Sequence, residues 1–339
     1  MNMEIKNNYS LSKLNTFGVH ANAKFFVEAR NEEDLIEIFN LPIFKNIKKI
    51  FLGGGSNILF TQDFDGLVIL NKLEGIKILK EDLENVFIRS MGGEIWHDLV
   101  TFVVDRDWWG IENLASIPGT VGAGPIQNIG AYGVELKDVL ENVETFNINT
   151  GEKKIFSKEE CRFGYRDSVF KNELKGRFFI TAITVKLSKI ENRNLNYKIL
   201  QDYLEKNKIE IKRAKDISDA ISAIRKSKLP DPKIIGNAGS FFKNVFVEKS
   251  ELERLQKTYP DIPNFKDEGT IKIPAGWLIE QCGWKGKRLG NVGVHDKQAL
   301  VLVNYGGADG REVLVLAKKI IADVQDKFGL ILAPEVNLI

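Results

Sequence analysis

Residues 110–133 read GIENLASIPGTVGAGPIQNIGAYG, and this glycine-rich stretch decides how the rest of the chain is interpreted. It carries one charged residue, Glu112, together with two prolines and many aliphatic side chains. A solvated flexible linker would be polar and poor in aliphatic residues. The composition therefore predicts an ordered loop that wraps around a ligand.

A second glycine loop lies upstream at residues 52–57, LGGGSN, directly after the strand-like segment KKIF. Because glycine has no Cβ, three glycines in a row let backbone N–H groups converge closely on a phosphate. Taken alone, this loop is at least as consistent with a tight turn that binds nothing.

Two common nucleotide-binding motifs are not found at these loops. A Walker A loop requires Gly-Lys-Ser/Thr after its spacer, and residues 57–60 do not supply it. The string GTVGAG at 119–124 has the glycine spacing of a Rossmann motif in reverse order. Two separate glycine loops favour instead a long dinucleotide that lies between two subdomains.

The apolar residues on either side of these loops alternate between strand-like and helical spacing, which predicts an α+β fold. Strands are predicted at residues 24–29, 48–51, 66–71, 86–90, 143–148 and 178–187, and the end of the chain is strand-like as well. Helices are predicted at residues 32–40, 92–107, 216–230 and 311–329. The last helix is expected to end at Gly329.

The sequence predicts three structural parts, with the clearest boundary in the Lys-rich segment 204–216. The first lobe is expected over residues 1–75, the second over 76–205 and a third part over 215–327. The tail 328–339 is expected to return to the active site.

Bulk composition excludes several classes of protein. With 48 basic and 46 acidic residues spread along the chain, a nucleic-acid interface is not expected. Two isolated cysteines, Cys161 and Cys282, form neither a disulfide framework nor a zinc motif. We find no apolar run long enough to span a bilayer and no leader-like N-terminus, so a cytoplasmic protein is expected.

The two glycine loops occur together with six further motifs in a fixed order. These are NTFG (15–18), CRFGYRDSVFK (161–171), GNAGSFFKN (236–244), PAGWLIEQCGWKG (274–286), QALVLVN (298–304) and PEVNLI (334–339). The set, which covers nearly the whole chain, closely resembles the UDP-N-acetylenolpyruvoylglucosamine reductase (MurB) family, within the wider superfamily of vanillyl-alcohol oxidase and p-cresol methylhydroxylase flavoproteins. The retained segment 258–269 is similar to the longer, first type of the family.

This resemblance implies a two-lobed FAD-binding domain followed by a C-terminal α+β substrate-binding domain. It also implies non-covalent FAD, NADPH as co-substrate, and reduction of UDP-N-acetylglucosamine enolpyruvate to UDP-N-acetylmuramate for peptidoglycan synthesis, with the associated roles in cell shape and division. We expect a monomer with no nucleic-acid or membrane partner. Two alternatives are another FAD-dependent oxidase or dehydrogenase of the superfamily, and a non-catalytic nucleotide-sugar binding protein.

The implied reaction adds hydride to an unsaturated carboxylate and then protonates the α-carbon, so it needs enolate stabilisation and a proton donor. Ser240 in GNAGSFF matches the family's proton donor, although a serine there could also serve a turn. Arg166 in GYRDS matches the arginine that contacts the enolate, although an ion pair with Asp167 is the simpler interpretation without the motif. Glu335 in the apolar tail matches a carboxyl group that we expect to be partly desolvated, with a raised pKa, instead of solvated.

The remaining predicted site residues also come from the resemblance. The cofactor-binding set consists of Gly53, Gly54, Gly55, Ser56, Asn57, Pro118, Gly119, Gly122, Gln127, Asn128, Gly130, Ala131 and Tyr132. The substrate-binding set consists of Tyr197, Arg225, Lys228, Asn244 and Gln298, although Arg225 and Lys228 could equally form a solvated helix end. No metal site is expected, because His20, His97 and His295 lack metal-ligand spacing.

Overall fold

The computed structural model describes residues 3–267 and 269–339, and it divides into two compact units. Unit 1 consists of residues up to Tyr9, Ala23–Gly54 and Asp65–Ser227. Unit 2 consists of Ser10–Asn22, Gly55–Phe64 and Lys228–Ile339. Neither unit is therefore continuous in sequence.

Within the described residues the chain forms seven α-helices and twenty strands, joined by short 3-10 segments. The helices are α1 (Glu32–Asn40), α2 (Trp96–Val104), α3 (Lys198–Lys206), α4 (Ala214–Lys228), α5 (Lys249–Gln256), α6 (Ala275–Gln281) and α7 (Gly310–Phe328). The first ten strands are β1 (Lys6–Ser10), β2 (Asn22–Ala29), β3 (Lys48–Leu52), β4 (Ile58–Leu59), β5 (Phe64–Asn71), β6 (Ile76–Glu81), β7 (Asn85–Met91), β8 (Gly130–Ala131), β9 (Val134–Glu135) and β10 (Leu140–Asn147). The last ten are β11 (Lys153–Ser157), β12 (Phe178–Ser188), β13 (Gly236–Ser240), β14 (Val245–Val247), β15 (Phe265–Asp267), β16 (Thr270–Ile273), β17 (Arg288–Leu289), β18 (Val292–Val294), β19 (Val301–Asn304) and β20 (Asn337–Leu338).

Unit 1 is built around two sheets. One has the strand order β1-β2-β5-β3, with β3 parallel to β5, and the other is an antiparallel sheet of order β11-β10-β12-β7-β6. Side chains of α1 and both sheets share one core, which includes Leu35, Ile69 and Phe179. A second core joins α2 and α4 to the antiparallel sheet. The first glycine loop begins directly after β3 ends at Leu52.

Unit 2 contains a sheet of order β13-β19-β18-β17, a three-stranded sheet β14-β16-β15 and the pair β20-β4. Helix α7 packs on β18 and β19. Asp309 begins this helix as a capping box with Glu312, and Gly329 ends it at a φ of 73°. A left-handed residue at this position is common where helices end. Buried Val313, Ile320 and Val324 form its apolar stripe.

The predicted helices at 32–40, 216–230 and 311–329 correspond to α1, α4 and α7, and the segment 92–107 contains α2. The six predicted strands correspond to β2, β3, β5, β7, β10 and β12. Helix α3 lies where no helix was expected, and the Lys-rich segment 204–216 contains the end of α3 and the start of α4. None of the described helices is both long and apolar enough to cross a bilayer.

Candidate functional site

The two glycine loops meet in unit 1, where the facing loop leaves no room for side chains. A Cβ on Gly53 would lie 2.2 Å from the Thr120 hydroxyl oxygen, and one on Gly54 would lie 2.9 Å from the Cα of Gly119. Strand β3 ends immediately before Gly53, so the position of the first loop follows from the sheet. Gly54 is thus required by the close approach of the Gly119 backbone, and Gly53 by the Thr120 side chain.

Backbone hydrogen bonds fix the second loop to its surroundings in unit 1. Trp96 N–H donates to the Gly119 carbonyl, Val121 N–H to Glu94 and Gly122 N–H to Gly92, at 3.0, 2.8 and 2.9 Å. A Cβ on Gly122 would lie 3.0 Å from the Gly92 carbonyl oxygen. The loop is ordered, as its composition predicts.

Farther along, the loop contains two residues other than glycine in the left-handed region, Asn128 with a φ of 46° and Tyr132 with a φ of 49°. The fully buried Asn128 side chain donates to Glu135 at 2.8 Å and accepts from Lys137 N–H at 2.9 Å. Asparagine adopts this conformation more readily than most residues, whereas for tyrosine it is strained. Strain of this kind is often stored at functional sites.

Arg166 is also left-handed, with a φ of 52°. Its guanidinium donates to the Gly130 carbonyl at 2.6 Å and lies 5.2 Å from the Tyr165 ring centre. The neighbouring Asp167 carboxylate accepts two hydrogen bonds of 3.0 Å from the Asn172 amide. The structure therefore places Arg166 against the predicted cofactor loop.

Tyr132, Tyr197, Arg166 and Arg225 form an arginine–tyrosine cluster in unit 1. The two tyrosine rings make an edge contact, with centres 5.3 Å apart. Burial lowers the pKa of Arg225, the nearby Tyr132 opposes that shift and the Arg166 cation adds to it. Burial raises the pKa of Tyr132. Two partly desolvated cations beside two phenols make a suitable environment for an anion.

Two buried polar residues at the start of the second glycine loop, Glu112 and Asn113, were not identified from the sequence. Asn113 is fully buried, and its amide donates to the carbonyls of Tyr132 and Asn194, both at 2.9 Å. Asn194 donates in turn to the Gly133 carbonyl at 3.1 Å. Asn113 thus holds the segment that leads to Tyr197 against the strained Tyr132.

Glu112 is 1% exposed and accepts from the Gly110 N–H at 2.6 Å. Burial raises the pKa of this carboxyl group, although backbone hydrogen bonds oppose the shift. The residues EN inside a run of small and apolar residues were the signal that could have identified this pair.

In unit 2, Ser240 is the last residue of β13, and the predicted NTFG motif holds this strand. The Thr16 hydroxyl donates to the Asn237 carbonyl at 2.6 Å, and the Thr16 backbone carbonyl accepts from the Asn237 N–H at 2.9 Å. A Cβ on Gly236 would lie 2.2 Å from the Phe17 carbonyl oxygen. Two motifs far apart in sequence therefore determine where Ser240 lies.

Glu335 lies beside Phe241, the residue that directly follows β13. Its N–H donates to the Phe241 carbonyl at 2.8 Å, and its own carbonyl accepts from the Asn57 amide at 3.4 Å. Beyond it, β20 pairs with β4 in parallel register. Ser240, Glu335 and the end of the first glycine loop are therefore neighbours within unit 2.

The predicted substrate-binding residues of unit 2 lie near the start of α6. Asn244 accepts from the Ala275 N–H at 3.1 Å, and a Cβ on Gly276 would lie 3.5 Å from the Gln298 side-chain oxygen. Lys228 is the last residue of α4, the helix that also carries Arg225.

The site residues fall into two groups by unit. Unit 1 holds Gly53, Gly54, Pro118, Gly119, Gly122, Gln127, Asn128, Gly130, Ala131, Tyr132, Arg166, Tyr197 and Arg225. Unit 2 holds Gly55, Ser56, Asn57, Lys228, Ser240, Asn244, Gln298 and Glu335. Their individual roles stay predictions.

Family models match both parts of the chain. One, described as UDP-N-acetylenolpyruvoylglucosamine reductase, C-terminal domain, matches residues 231–339. Another, described as FAD binding domain, matches residues 23–156 and so includes both sides of the contact between the glycine loops.

Curated proteins match along the full length. A Flavobacterium johnsoniae protein named UDP-N-acetylenolpyruvoylglucosamine reductase is 49% identical over 339 residues, which is 99% of this chain and 100% of the relative. A protein of the same name from Amoebophilus asiaticus is 46% identical over 338 residues, again 99% and 100% of the two chains.

A solved structure shares the fold. The UDP-N-acetylenolpyruvylglucosamine reductase (MurB) from Thermus caldophilus superposes with a TM-score of 0.66 at 24% identity, over 100% of this chain and 99% of that chain. The predicted fold class, an α+β chain with an FAD-binding domain followed by a C-terminal domain, is confirmed.

Proposed function

We propose that this chain, which belongs to the UDP-N-acetylenolpyruvoylglucosamine reductase family, reduces UDP-N-acetylglucosamine enolpyruvate to UDP-N-acetylmuramate as an FAD-dependent oxidoreductase of peptidoglycan precursor synthesis. The observation that carries the proposal is the 49% identity to a relative of that name, with 99% of this chain and 100% of the relative covered. NADPH as the hydride source, and a cytoplasmic location, belong to the same proposal.

The residues of unit 1 fit FAD. Gly53 and Gly54 let the two glycine loops approach closely, because a Cβ on either residue would clash with Thr120 or Gly119. The left-handed Asn128 and Tyr132 shape the other end of the loop. When bound, FAD would supply the redox chemistry that links NADPH to the substrate.

Arg166 stabilises the negative charge that develops on the substrate carboxylate. Its guanidinium is held by the Gly130 carbonyl, so it is positioned before the reaction begins. Arg225 adds a second cation to the same cluster. A planar guanidinium suits a carboxylate because it can donate two parallel hydrogen bonds.

Ser240 donates the proton to the α-carbon, and Glu335 acts as a nearby acid. Gly239 has a φ of 67°, and a Cβ added to it would have no atom within 4 Å, so there is space on one side of Ser240. The hydrogen bond from Glu335 N–H to Phe241 keeps the two residues on neighbouring segments of unit 2. A serine hydroxyl is a weak acid, so it depends on its surroundings for proton transfer.

Tyr197 is the proposed ligand contact of unit 1, and Lys228, Asn244 and Gln298 are the proposed contacts of unit 2, for the UDP-sugar or the nicotinamide nucleotide. Tyr197 presents its ring to Tyr132, and its side chain is 42% exposed, which leaves a face for a ligand. Asn244 and Gln298 supply amide groups near the first turn of α6.

A spectrum with a titration tests the function. We expect the purified chain to absorb as a flavoprotein, to be bleached by anaerobic NADPH, and to be reoxidised by UDP-N-acetylglucosamine enolpyruvate. Lack of flavin absorbance would favour the non-catalytic binding protein. Reduction by a small alcohol or sugar, with no reoxidation by the enolpyruvyl compound, would favour the oxidase or dehydrogenase alternative.

A further inference from the structure

Ser116, in the second glycine loop, has a left-handed backbone with a φ of 57°. This region is uncommon for residues other than glycine, and serine is not among those that enter it most readily. Such a conformation costs free energy, so it persists only where surrounding contacts hold it. The contacts of Ser116 therefore indicate what its backbone is held for.

All three polar groups of Ser116 are hydrogen bonded within unit 1. Its N–H donates to Nδ1 of His97 at 3.2 Å, which attaches the loop to α2. Its hydroxyl oxygen lies 2.8 Å from that of Ser222, and its carbonyl accepts from Nε of Arg225 at 3.2 Å. Ser222 and Arg225 both belong to α4. The left-handed residue thus links the loop to two helices.

Two of these contacts fall on one face of α4. Residues three apart in an α-helix are neighbours on its surface, so Ser222 and Arg225 lie on the same side. The Ser116 hydroxyl contacts the first of them and its carbonyl contacts the second. An arginine side chain has many rotamers, and a hydrogen bond at Nε limits the orientation of its planar guanidinium. Ser116 therefore restrains Arg225, and the hydroxyl pair with Ser222 restrains Ser116.

The guanidinium of Arg225 keeps most of its donors for a ligand. Its bond to Ser116 occupies Nε, and it makes no other hydrogen bond and no ion pair with a carboxylate among the residues that the structure describes. Burial lowers the pKa of this group, yet Arg225 is not fully buried, so a ligand can reach it. A partly buried cation without an acidic partner is stabilised by an anion. Its two terminal nitrogens can donate in parallel to a carboxylate or a phosphate.

We propose that Ser116 is a positioning residue that holds Arg225 ready to bind an anionic group of the UDP-sugar. This inference rests on the proposed function and adds to it a residue that acts through another. The strained backbone directs the Ser116 carbonyl to Nε of Arg225, and the hydroxyl pair with Ser222 keeps it there. The guanidinium is then ordered before the anion binds, which lowers the entropic cost of binding. The anion is the enolpyruvyl carboxylate or the diphosphate, which share this chemistry.

The experiment uses the flavin-loaded enzyme and compares the wild type with Ser222→Ala, Ser116→Ala, the double variant and Ser222→Thr. Alanine removes either half of the hydroxyl pair, whereas threonine keeps the hydroxyl. Ser227→Ala is the matched control, because it is the same substitution in the same helix and the Ser227 hydroxyl donates to the Ile224 carbonyl at 2.7 Å. Stopped flow measures flavin reduction by NADPH and reoxidation by UDP-N-acetylglucosamine enolpyruvate separately, and thermal unfolding is measured in parallel.

We expect each alanine variant of the pair to lower the second-order rate constant of reoxidation by about 3- to 10-fold, which is the range for one hydrogen bond. Flavin reduction by NADPH should stay within about twofold of the wild type. The double variant should lose no more than either single variant, because both substitutions remove the same bond. Ser222→Thr and Ser227→Ala should match the wild type within about twofold.

Competition by UDP-N-acetylglucosamine identifies the anion, because this compound has the diphosphate but no enolpyruvyl carboxylate. Its inhibition constant should rise in Ser222→Ala if Arg225 binds the diphosphate. The constant should stay the same, with reoxidation still slowed, if Arg225 binds the carboxylate.

An unchanged rate of reoxidation in both alanine variants would overturn the inference. Equal slowing of both half-reactions together with a lower unfolding temperature would overturn it too, since a general structural defect has that effect. A loss that multiplies in the double variant, or one that persists in Ser222→Thr, would also contradict it. Failure of the wild-type enzyme to be reoxidised by the enolpyruvyl compound would instead contradict the proposed function.

Discussion

Gly236→Ala tests the contact that positions the strand of Ser240. The new Cβ would lie 2.2 Å from the Phe17 carbonyl oxygen and 2.8 Å from its carbonyl carbon. Both are backbone atoms, so a side-chain rotation cannot relieve the overlap. An ordinary contact requires about 1 Å more, and either β13 or residues 15–17 must shift.

The shift has a second cost. The Phe17 carbonyl accepts a hydrogen bond of 2.9 Å from the amide of Asn304, which is 5% exposed. Overpacking and the weakening of this buried bond together cost about 2–4 kcal/mol. For a unit of this size that corresponds to a fall in Tm of about 5–15 °C.

Gly276→Ala is the matched control, because its Cβ would have its nearest neighbours at 3.5 Å, and it lies inside α6. There alanine should be neutral or stabilising by about 0.5–1 kcal/mol. Scanning calorimetry of both variants provides the comparison. A Tm for Gly236→Ala within about 1 °C of the wild type would refute the steric argument.

Three further predictions concern single side chains. Ser240→Ala should leave flavin reduction by NADPH nearly intact and slow reoxidation by the enolpyruvyl substrate by about 10²- to 10⁴-fold in stopped flow. If both half-reactions of the variant ran at the wild-type rate, Ser240 would lose its assigned role. Asn113→Ala should lower the free energy of unfolding by about 1–3 kcal/mol and raise the KM for the UDP-sugar, because Tyr132 and the segment before Tyr197 lose a shared donor; an unchanged urea midpoint would contradict this. Burial raises the pKa of Glu112, so its contribution to stability is present below the usual range of a glutamate, about pH 4, and is lost as the pH rises through the folded-state pKa. Glu112→Gln should therefore gain stability relative to the wild type as the pH is raised above that range, and parallel pH profiles in urea unfolding would show that the carboxyl group does not titrate in this way.

Elements with strong periodicity and clear end signals were predictable from sequence. Helix α7 shows why, since an apolar stripe, the acidic cap Asp309 and the terminal Gly329 all indicate the same helix. Helix α3 was missed because it is short, nine residues, with only Leu200 and Leu204 buried. A helix of this length depends on tertiary packing that local sequence does not reveal.

Motifs identified candidate site residues in the sequence, but the contacts between them could not be read from it. Glycines at 53, 54 and 236 were recognised by motif, whereas the atoms that make them necessary belong to Thr120, Gly119 and Phe17. Such pairs are distant in sequence, and their register depends on the sheets. Asn113 was missed for the same reason, because its two acceptors lie on loops that meet only in the folded chain.

The discontinuous make-up of unit 2 bears on synthesis and dissection of the protein. Residues 10–22 and 55–64 emerge early from the ribosome, but their partners, including β13, β20 and Asn304, are made last. Such long-range contacts form slowly, since the intervening loop must close first. A fragment cut at residue 231 would carry β20 without β4 and Asn304 without Phe17, so we expect it to aggregate alone and to be rescued by co-expression with the N-terminal remainder.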